Sequence, residues 1–419
     1  MLLLDSKVDV LVIGGGTAGT IAALQAARLG ARTLLLEMGG QLGGTMTTGG
    51  VAFPGLFDAW GKQVIAGIGW ELVKATVELD GGELPDFSRV PEHHYENQVR
   101  INPGLYAALA EQACLAAEVE LCYYEMPLEV ERTDGGWRVQ TVGKAMRRDI
   151  ECRQLIDCTG GADVVGMLGL PRQREDTIQP GTFGFSLVGI NLSAADPQLT
   201  AHRYQDAVTK GTLWAEDYYH DFGRFAALLH GAFGLCHVMD ADDSTSPAAT
   251  ASNIAGRESM LRTLRFARTL PGCENARVQR VMGGTSVRET YRIVGETQVT
   301  VEDYRAGRRY PDAICYAFYP LDLHDEQGVS PEPLRPGVVP TIPFGALVPK
   351  GTENLLVAGR CVASDRLANS ALRVQAPCMA MGQAAGAAAA LAAGTGTAPT
   401  ALALENIKAA LEDHGAIVP

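Results

Sequence analysis

The stretch Leu11–Leu24, LVIGGGTAGTIAAL, decides the fold. Val8, Val10, Val12 and Ile13 form a short apolar run rich in β-branched residues, the composition of a buried parallel strand. Gly14, Gly16 and Gly19 follow in the spacing G-x-G-x-x-G, and Ile21, Ala22, Leu24, Gln25 and Ala26 continue at helical spacing. In such a unit the first glycine permits the sharp turn and the second lets the backbone approach a pyrophosphate. The third lets the helix pack closely on the strand, with first-turn amides such as those of Thr17 and Ala18 facing the anion. Gly30 ends the helix, and ARTLLLE reads as a second strand closing on Glu37. That carboxylate stands 37 − 14 = 23 positions after Gly14, near the roughly 20 expected of a ribose-binding acid. Glycines alone would suit a bare turn; strand, glycines, helix, strand and acid in this order point to a dinucleotide site.

The 419 residues, 47% of them hydrophobic, can fill the cores of two domains. A formal net charge of −13 argues against a nucleic-acid surface or an anionic membrane as partner, although local arginines could still take anionic substrates. The opening MLLLDSKVDVLVIGGG is interrupted by Asp5, Lys7 and Asp9 and does not read as a signal peptide. The Ala-rich stretch after Met379 falls short of the about 20 apolar residues of a membrane span. A soluble, cytoplasmic chain is expected, with homo-oligomerisation left open. The nine cysteines are scattered, without C-x-x-C or Cys/His ligand spacing, which disfavours a disulfide framework, a structural zinc site or any other metal.

Along the chain, NPGLYAALAEQACLAA from Asn102 predicts a helix with Asn102 as N-cap and Pro103 in its first position. Strands follow, with a hairpin turn at Asp134-Gly135-Gly136, and DIECRQLIDCTGG predicts a further strand running into Thr159-Gly160-Gly161. The C-terminal part returns to strand then helix in ENLLVAGRCVA and VQAPCMAMGQAAGAAAALAAG. The expected class is α/β: a discontinuous, Rossmann-like cofactor domain with a parallel sheet over residues 1–50, 99–165 and 340–419. A mixed α+β substrate or cap region over 51–98 and 166–339 interrupts it.

NAD and FAD both use the opening turn, and four features favour FAD. GGQLGGTMTTGG after Glu37 supplies a glycine-rich stretch, including Gly43, Gly44 and then Thr45, whose amides can approach a long, flat, polar ligand. LIDCTGG, with Thr159 and Gly160, resembles the strand ending in a small-residue-Thr-Gly turn that passes near the FAD adenosine in flavoproteins. TENLLVAGRC runs a strand into Gly359 and Arg360, where a ribityl chain could pass. Finally, APCMAMGQAAGAAAA, preceded by Arg373, puts Pro377 and Met379 near a helix start whose free amides could face pyrimidine carbonyls.

These blocks resemble a bacterial family of FAD-dependent oxidoreductases within the glutathione-reductase-like superfamily, distantly similar to fumarate reductase flavoproteins. The resemblance rests on VIGGGTAGTIAAL with GGQLGGTMT, DCTGGADV, VRETYRIVGETQVTVED, YPLDLHD, IPFGALVPKGTENLLVAGRCVA and CMAMGQAAGAAAAL, in that order. It implies noncovalent FAD, and Thr45, not His, follows Gly43-Gly44. Two departures stand out: Gly161 replaces an Asp common in the family, and Phe344 and Gly345 replace a usual Tyr and Arg.

In flavoproteins the polypeptide orients substrate and moves protons. Arg288, Glu289 and Arg292 in SVRETYR form a charged cluster, and helical spacing would put both arginines on one face to clamp an anion; an internal ion-pair network is the alternative. His324 in YPLDLHD, flanked by Asp322 and Asp325, is the candidate for proton transfer, with a structural role as the alternative. His93 and His94 read as loop residues that could line a cavity, and His237 carries no role. The expected activity is hydride transfer between FAD and a small organic substrate bearing C–OH, C–NH or an activated C=C, with an unidentified electron acceptor. Redox-neutral turnover and a non-catalytic flavin sensor are the alternatives.

Overall fold

The computed structural model describes residues 2–191, 193 and 196–419. Its centre is a seven-stranded sheet in which Glu120–Tyr123, Thr33–Glu37, Leu2–Ile13 and Met146–Asp157 lie side by side and parallel. The strand Met146–Asp157 then divides its free edge. Its first half takes the antiparallel hairpin Glu125–Thr133 and Gly136–Gly143, and its last three residues pair in parallel with Leu355–Val357. Val10, Leu11, Val12, Leu34, Leu35, Leu155 and Ile156 are all buried, as the unbroken apolar runs of these strands require when both faces are covered.

The helix Thr17–Arg28 follows the first strand and packs on Gln375–Thr395, a helix buried almost all round. Small residues set that contact: a Cβ built on Gly382 would collide with the Ala18 carbonyl, and one on Gly386 with the Ala22 carbonyl. Gly394, on the same helix, faces open space. One substitution type should therefore change sign along one helix. Gly382→Ala forces two backbones apart and should cost about 1–3 kcal/mol in urea unfolding, whereas Gly394→Ala should stabilise by about 0.5–1 kcal/mol. Equal effects at the two positions would refute the close packing.

The predicted Asn102-capped helix is present as Pro103–Ala116, with Asn102 accepting the Gly104 and Leu105 amides, and the hairpin turns at Asp134-Gly135. Two expectations change. The Ala-rich helix starts at Gln375, before Met379, and runs 21 residues, so it is long and apolar enough to cross a membrane. Of its most apolar window, 89% is buried inside the protein. The segment around SVRETYR is extended, not helical: Arg292-Ile293 pairs antiparallel with Arg172-Gln173, and β-branched Val287, Thr290 and Ile293 fit that backbone. The helical face proposed for Arg288 and Arg292 therefore does not form.

The described residues form two hydrophobic cores. The larger joins the sheet to Leu56, Phe57, Ile65 and Val73 and to residues from Ile293 through Val348. The second is built within residues 183–287 around Phe183, Phe185, Tyr204, Phe225 and Phe266, on the three-stranded sheet Gly234–Val238, Gly181–Val188, Arg277–Val281.

Candidate active site

The glycine turn does three separate jobs. Gly14 has φ +100°, a left-handed conformation that favours glycine, and a Cβ there would press on the Cys158 carbonyl. A Cβ on Gly19 would collide with the Gly14 carbonyl, so helix and strand meet only because that position is bare. At Gly16 a Cβ would meet nothing within 4 Å: this glycine faces space. Gly16 is also the N-cap of Thr17–Arg28 and supplies no side-chain cap, which leaves first-turn amides for an anion.

That space is a groove of about 560 Å³. Gly14, Gly16, Thr17, Ala18, Glu37, Gly44, Thr45, Thr159, Gly160, Gly359, Arg360 and Arg373 line it. Glu37 ends its strand with one oxygen accepting the Gly15 amide at 2.7 Å and the other the Gly39 amide at 2.6 Å. Burial raises its carboxyl above the usual range while these amides oppose the shift. Buried Asp157 accepts both the amide (3.0 Å) and the hydroxyl (2.7 Å) of Thr159, which fixes the turn through Gly160. Asp163, also on the groove, is pushed up to about 6 by burial and by the charges of Asp157 and Asp243.

A second cavity, of about 760 Å³, adjoins the groove: Thr45, Arg360, Arg373 and Gln375 line both. Two buried polar atoms at this junction, Arg373 Nε and Gln375 Oε1, have no hydrogen-bond partner, an arrangement that is costly unless a polar ligand satisfies them. Arg360 crosses the junction, donating to the carbonyls of Gly160 (2.8 Å) and Val287 and to both oxygens of Asp243 (3.1 and 2.9 Å). The N-terminus of Gln375–Thr395 also opens here without a side-chain cap.

The wall of the second cavity holds a buried chain of polar groups. His237 Nε2 lies 2.8 Å from His324 Nδ1, and His324 Nε2 lies 3.2 Å from Asp322 Oδ2. Arg373 donates to the same Oδ2 at 3.3 Å and to the Asp322 carbonyl at 2.9 Å, while the His324 amide donates to Gln179 Oε1 at 3.0 Å. Burial, the Arg288 charge and neighbouring cations hold His237 down to about 2. Burial and Arg288 likewise hold His324 down to about 3, against the pull of Asp322. Burial would raise the Asp322 carboxyl, but the His324 hydrogen bond and the Arg373 charge outweigh it and keep it well below the usual carboxylate range. Both imidazoles are therefore neutral and Asp322 ionised at neutral pH.

A model of the family described as FAD dependent oxidoreductase matches residues 9–411. The chain belongs to that family. FAD is its cofactor, and the bare Gly16, the uncapped amides and the orphaned atoms at the junction fit that ligand. Among solved structures the chain is similar to OxyS anhydrotetracycline hydroxylase from Streptomyces rimosus, with 14% identity and a TM-score of 0.46; 98% of this chain aligns with 66% of that one, just under two thirds of its length. It is similar to a geranylgeranyl bacteriochlorophyll reductase-like protein from Thermoplasma acidophilum, with 12% identity, a TM-score of 0.42 and coverage of 98% and 82%. It is also similar to the p-nitrophenol 4-monooxygenase PnpA from Pseudomonas putida DLL-E4, with 12% identity, a TM-score of 0.40 and coverage of 99% and 85%.

For this FAD-dependent oxidoreductase, the structure brings most of the residues selected from sequence to the two cavities, and separates four of them. Gly19 is used up in helix–strand packing, and Gly43 (φ +97°) shapes its loop, its carbonyl accepting the Thr17 hydroxyl at 3.3 Å. Met379 is buried against Gly69. Arg292 is 2% exposed and lines neither cavity, with both Glu175 oxygens at 2.7 Å from its Nη2. Its ion-pair alternative is the geometry observed. Arg288 does line the larger cavity and donates to the Pro180 carbonyl. His324 lines it too, but both its ring nitrogens are engaged by His237 and Asp322.

Sequence reasoning passed over His237 and gave His94 to a loop. His94 lines the larger cavity edge-on to Tyr319, with ring centroids 5.5 Å apart, and its ring makes no hydrogen bond among the described residues. Burial lowers its pKa from the ordinary value, partly offset by Asp322. Tyr219 packs on His237 with ring centroids 3.5 Å apart and planes tilted by 38°, and Arg224 lies over the Tyr219 ring at 3.9 Å. All nine cysteines are free and buried.

Proposed function

We propose that this enzyme transfers a hydride between noncovalently bound FAD and a small organic substrate that carries an anionic group. When bound, FAD supplies the two-electron acceptor or donor. The reading rests on Arg288. Four arginines line the cavity: Arg360 is paired with Asp243, Arg373 with Asp322, and Arg224 lies 3.9 Å from Asp221 and against Tyr219. Arg288 alone has no carboxylate partner among the described residues, and its one protein acceptor is a carbonyl. A substrate anion supplies the missing partner.

The remaining side chains divide the work. Tyr319, Phe53 and the prolines 320, 331 and 333 give apolar walls, and Thr45, Arg360, Arg373 and Gln375 mark the side toward the nucleotide groove. His94, whose pKa burial lowers and whose ring nitrogens have no hydrogen-bond partner among the described residues, takes or returns the proton that accompanies hydride transfer.

Visible absorbance under anaerobic conditions tests the proposal. Yellow holoprotein should bleach on mixing with an oxidisable organic acid and not with its amide. Arg288→Gln should keep its flavin and bind the acid about 10- to 100-fold more weakly, the loss of one charge-assisted contact. Bleaching by the amide as readily as by the acid, or an unaltered Arg288→Gln enzyme, would overturn it.

A further inference from the structure

We infer that the substrate is a hydroxy acid, its carboxylate on Arg288 and its hydroxyl donating to Asp322 in the resting complex, that same hydroxyl proton passing to His94 when the C–H hydride leaves and the keto acid forms. This rests on the proposed function and narrows it. Asp322 Oδ2 is filled twice, by His324 and by Arg373, while Oδ1 has no donor among the described residues and the residue lines the cavity.

The histidine chain removes any ambiguity about which way that contact runs. With Asp322 ionised, the proton of the His324–Asp322 bond sits on His324 Nε2. A neutral imidazole carries one ring proton, so His324 Nδ1 is bare and accepts from His237 Nε2. His237 is then neutral with its proton committed inward. The groups facing this pair are Arg288, Arg224, Arg373, Asp322 and the Tyr219 ring, and the three cations disfavour a further proton on either ring. The chain has no proton to lend to Asp322, which faces the cavity as a fixed acceptor. A ligand must bring a donor to it.

Charge decides between a hydroxyl and an ammonium donor. Of the arginines on the cavity wall, Arg360 is paired with Asp243 and Arg224 lies near Asp221, which leaves Arg288 and Arg373 beside the one carboxylate of Asp322. Asp322 is already in contact with Arg373, and the Arg288 charge acts on it as well. A second cation there would face this excess, whereas a neutral hydroxyl donates without adding charge. An anion with an adjacent neutral donor satisfies both Arg288 and Asp322.

Calorimetric titration of the holoprotein with matched acids is the test: lactate against propionate, malate against succinate and mandelate against phenylacetate, with alanine, aspartate and phenylglycine as the amino counterparts. In at least one series the hydroxy acid should bind about tenfold or more tighter than its deoxy and amino partners. Asp322→Asn should bind both members of that pair with affinities within about threefold of each other. Equal binding of hydroxy and deoxy acids by the parent enzyme, tighter binding of the amino acid, or no binding by any acid overturns the assignment, and these comparisons need no variant that folds. Parallel absorbance separates this inference from the one beneath it. A hydroxy acid that binds selectively without bleaching the flavin keeps the recognition and refutes hydride transfer from it.

Discussion

Gly16→Val should yield folded, colourless protein. The substituted Cβ has open space around it, so the apoprotein should keep its helix content and unfold within about 1 kcal/mol of the parent. The same side chain would stand in the mouth of the nucleotide groove, beside the uncapped amides of Thr17–Arg28, where a pyrophosphate must come within hydrogen-bonding distance of backbone. FAD affinity should fall by about 100-fold or more, measured by flavin fluorescence on titrating apoprotein. Gly19→Val gives the contrast. Its side chain would run into the Gly14 carbonyl inside the strand–helix contact, so that variant should lose the fold along with the flavin. Stoichiometric yellow Gly16→Val protein would remove the cofactor from this turn.

The second large effect is acid lability with an identifiable source. His237 and His324 are held neutral in the fold, near 2 and 3, whereas in the unfolded chain each takes a proton at about 6.5. Below that value the unfolded state binds protons that the native state refuses, so stability falls as pH falls. From pH 7 to pH 5 each imidazole should remove about 2 kcal/mol, and the pair about 4. Asp163 acts in the opposite sense: raised to about 6, it binds its proton first in the native state and offsets part of the loss. His237→Gln separates the contributions, because its amide can still donate to His324 but does not titrate. Urea unfolding at the two pH values should show the variant losing about 2 kcal/mol less than the parent, with the Asp163 effect common to both. Equal losses would show that His237 is not held neutral.

What could be read from sequence was what short stretches of chain determine. Gly14, Gly16 and Gly19 act within one turn, and Asn102 caps its own helix, so their spacing sufficed. Glu37 was found because strand, helix and strand have nearly fixed lengths. Arg288 and Arg292 show the failure: four positions apart suggests one helical face, but Arg292 belongs to a strand whose partner, Arg172-Gln173, lies far away in sequence. His237 was missed for the same reason. Its role comes from His324, 87 positions later, and no local pattern marks such a pair. His94 looked like loop because it opens only a single 3-10 turn, His94–Asn97; the cavity it faces is completed by Tyr319 and Asp322.

The divided edge of the strand Met146–Asp157 has a bearing on how the enzyme is made. Leu155 waits for Leu355, 200 residues further on, and Gly359 closes the groove that Gly14 opens. During synthesis the glycine turn is made 359 − 14 = 345 residues before Gly359 and stands with one wall of its groove missing until that segment has been added. Non-local pairing of this kind closes slowly, so flavin capture waits for the strand Leu355–Val357 to dock. Nascent chains arrested before residue 355 should emerge without flavin, however well their first strands have formed.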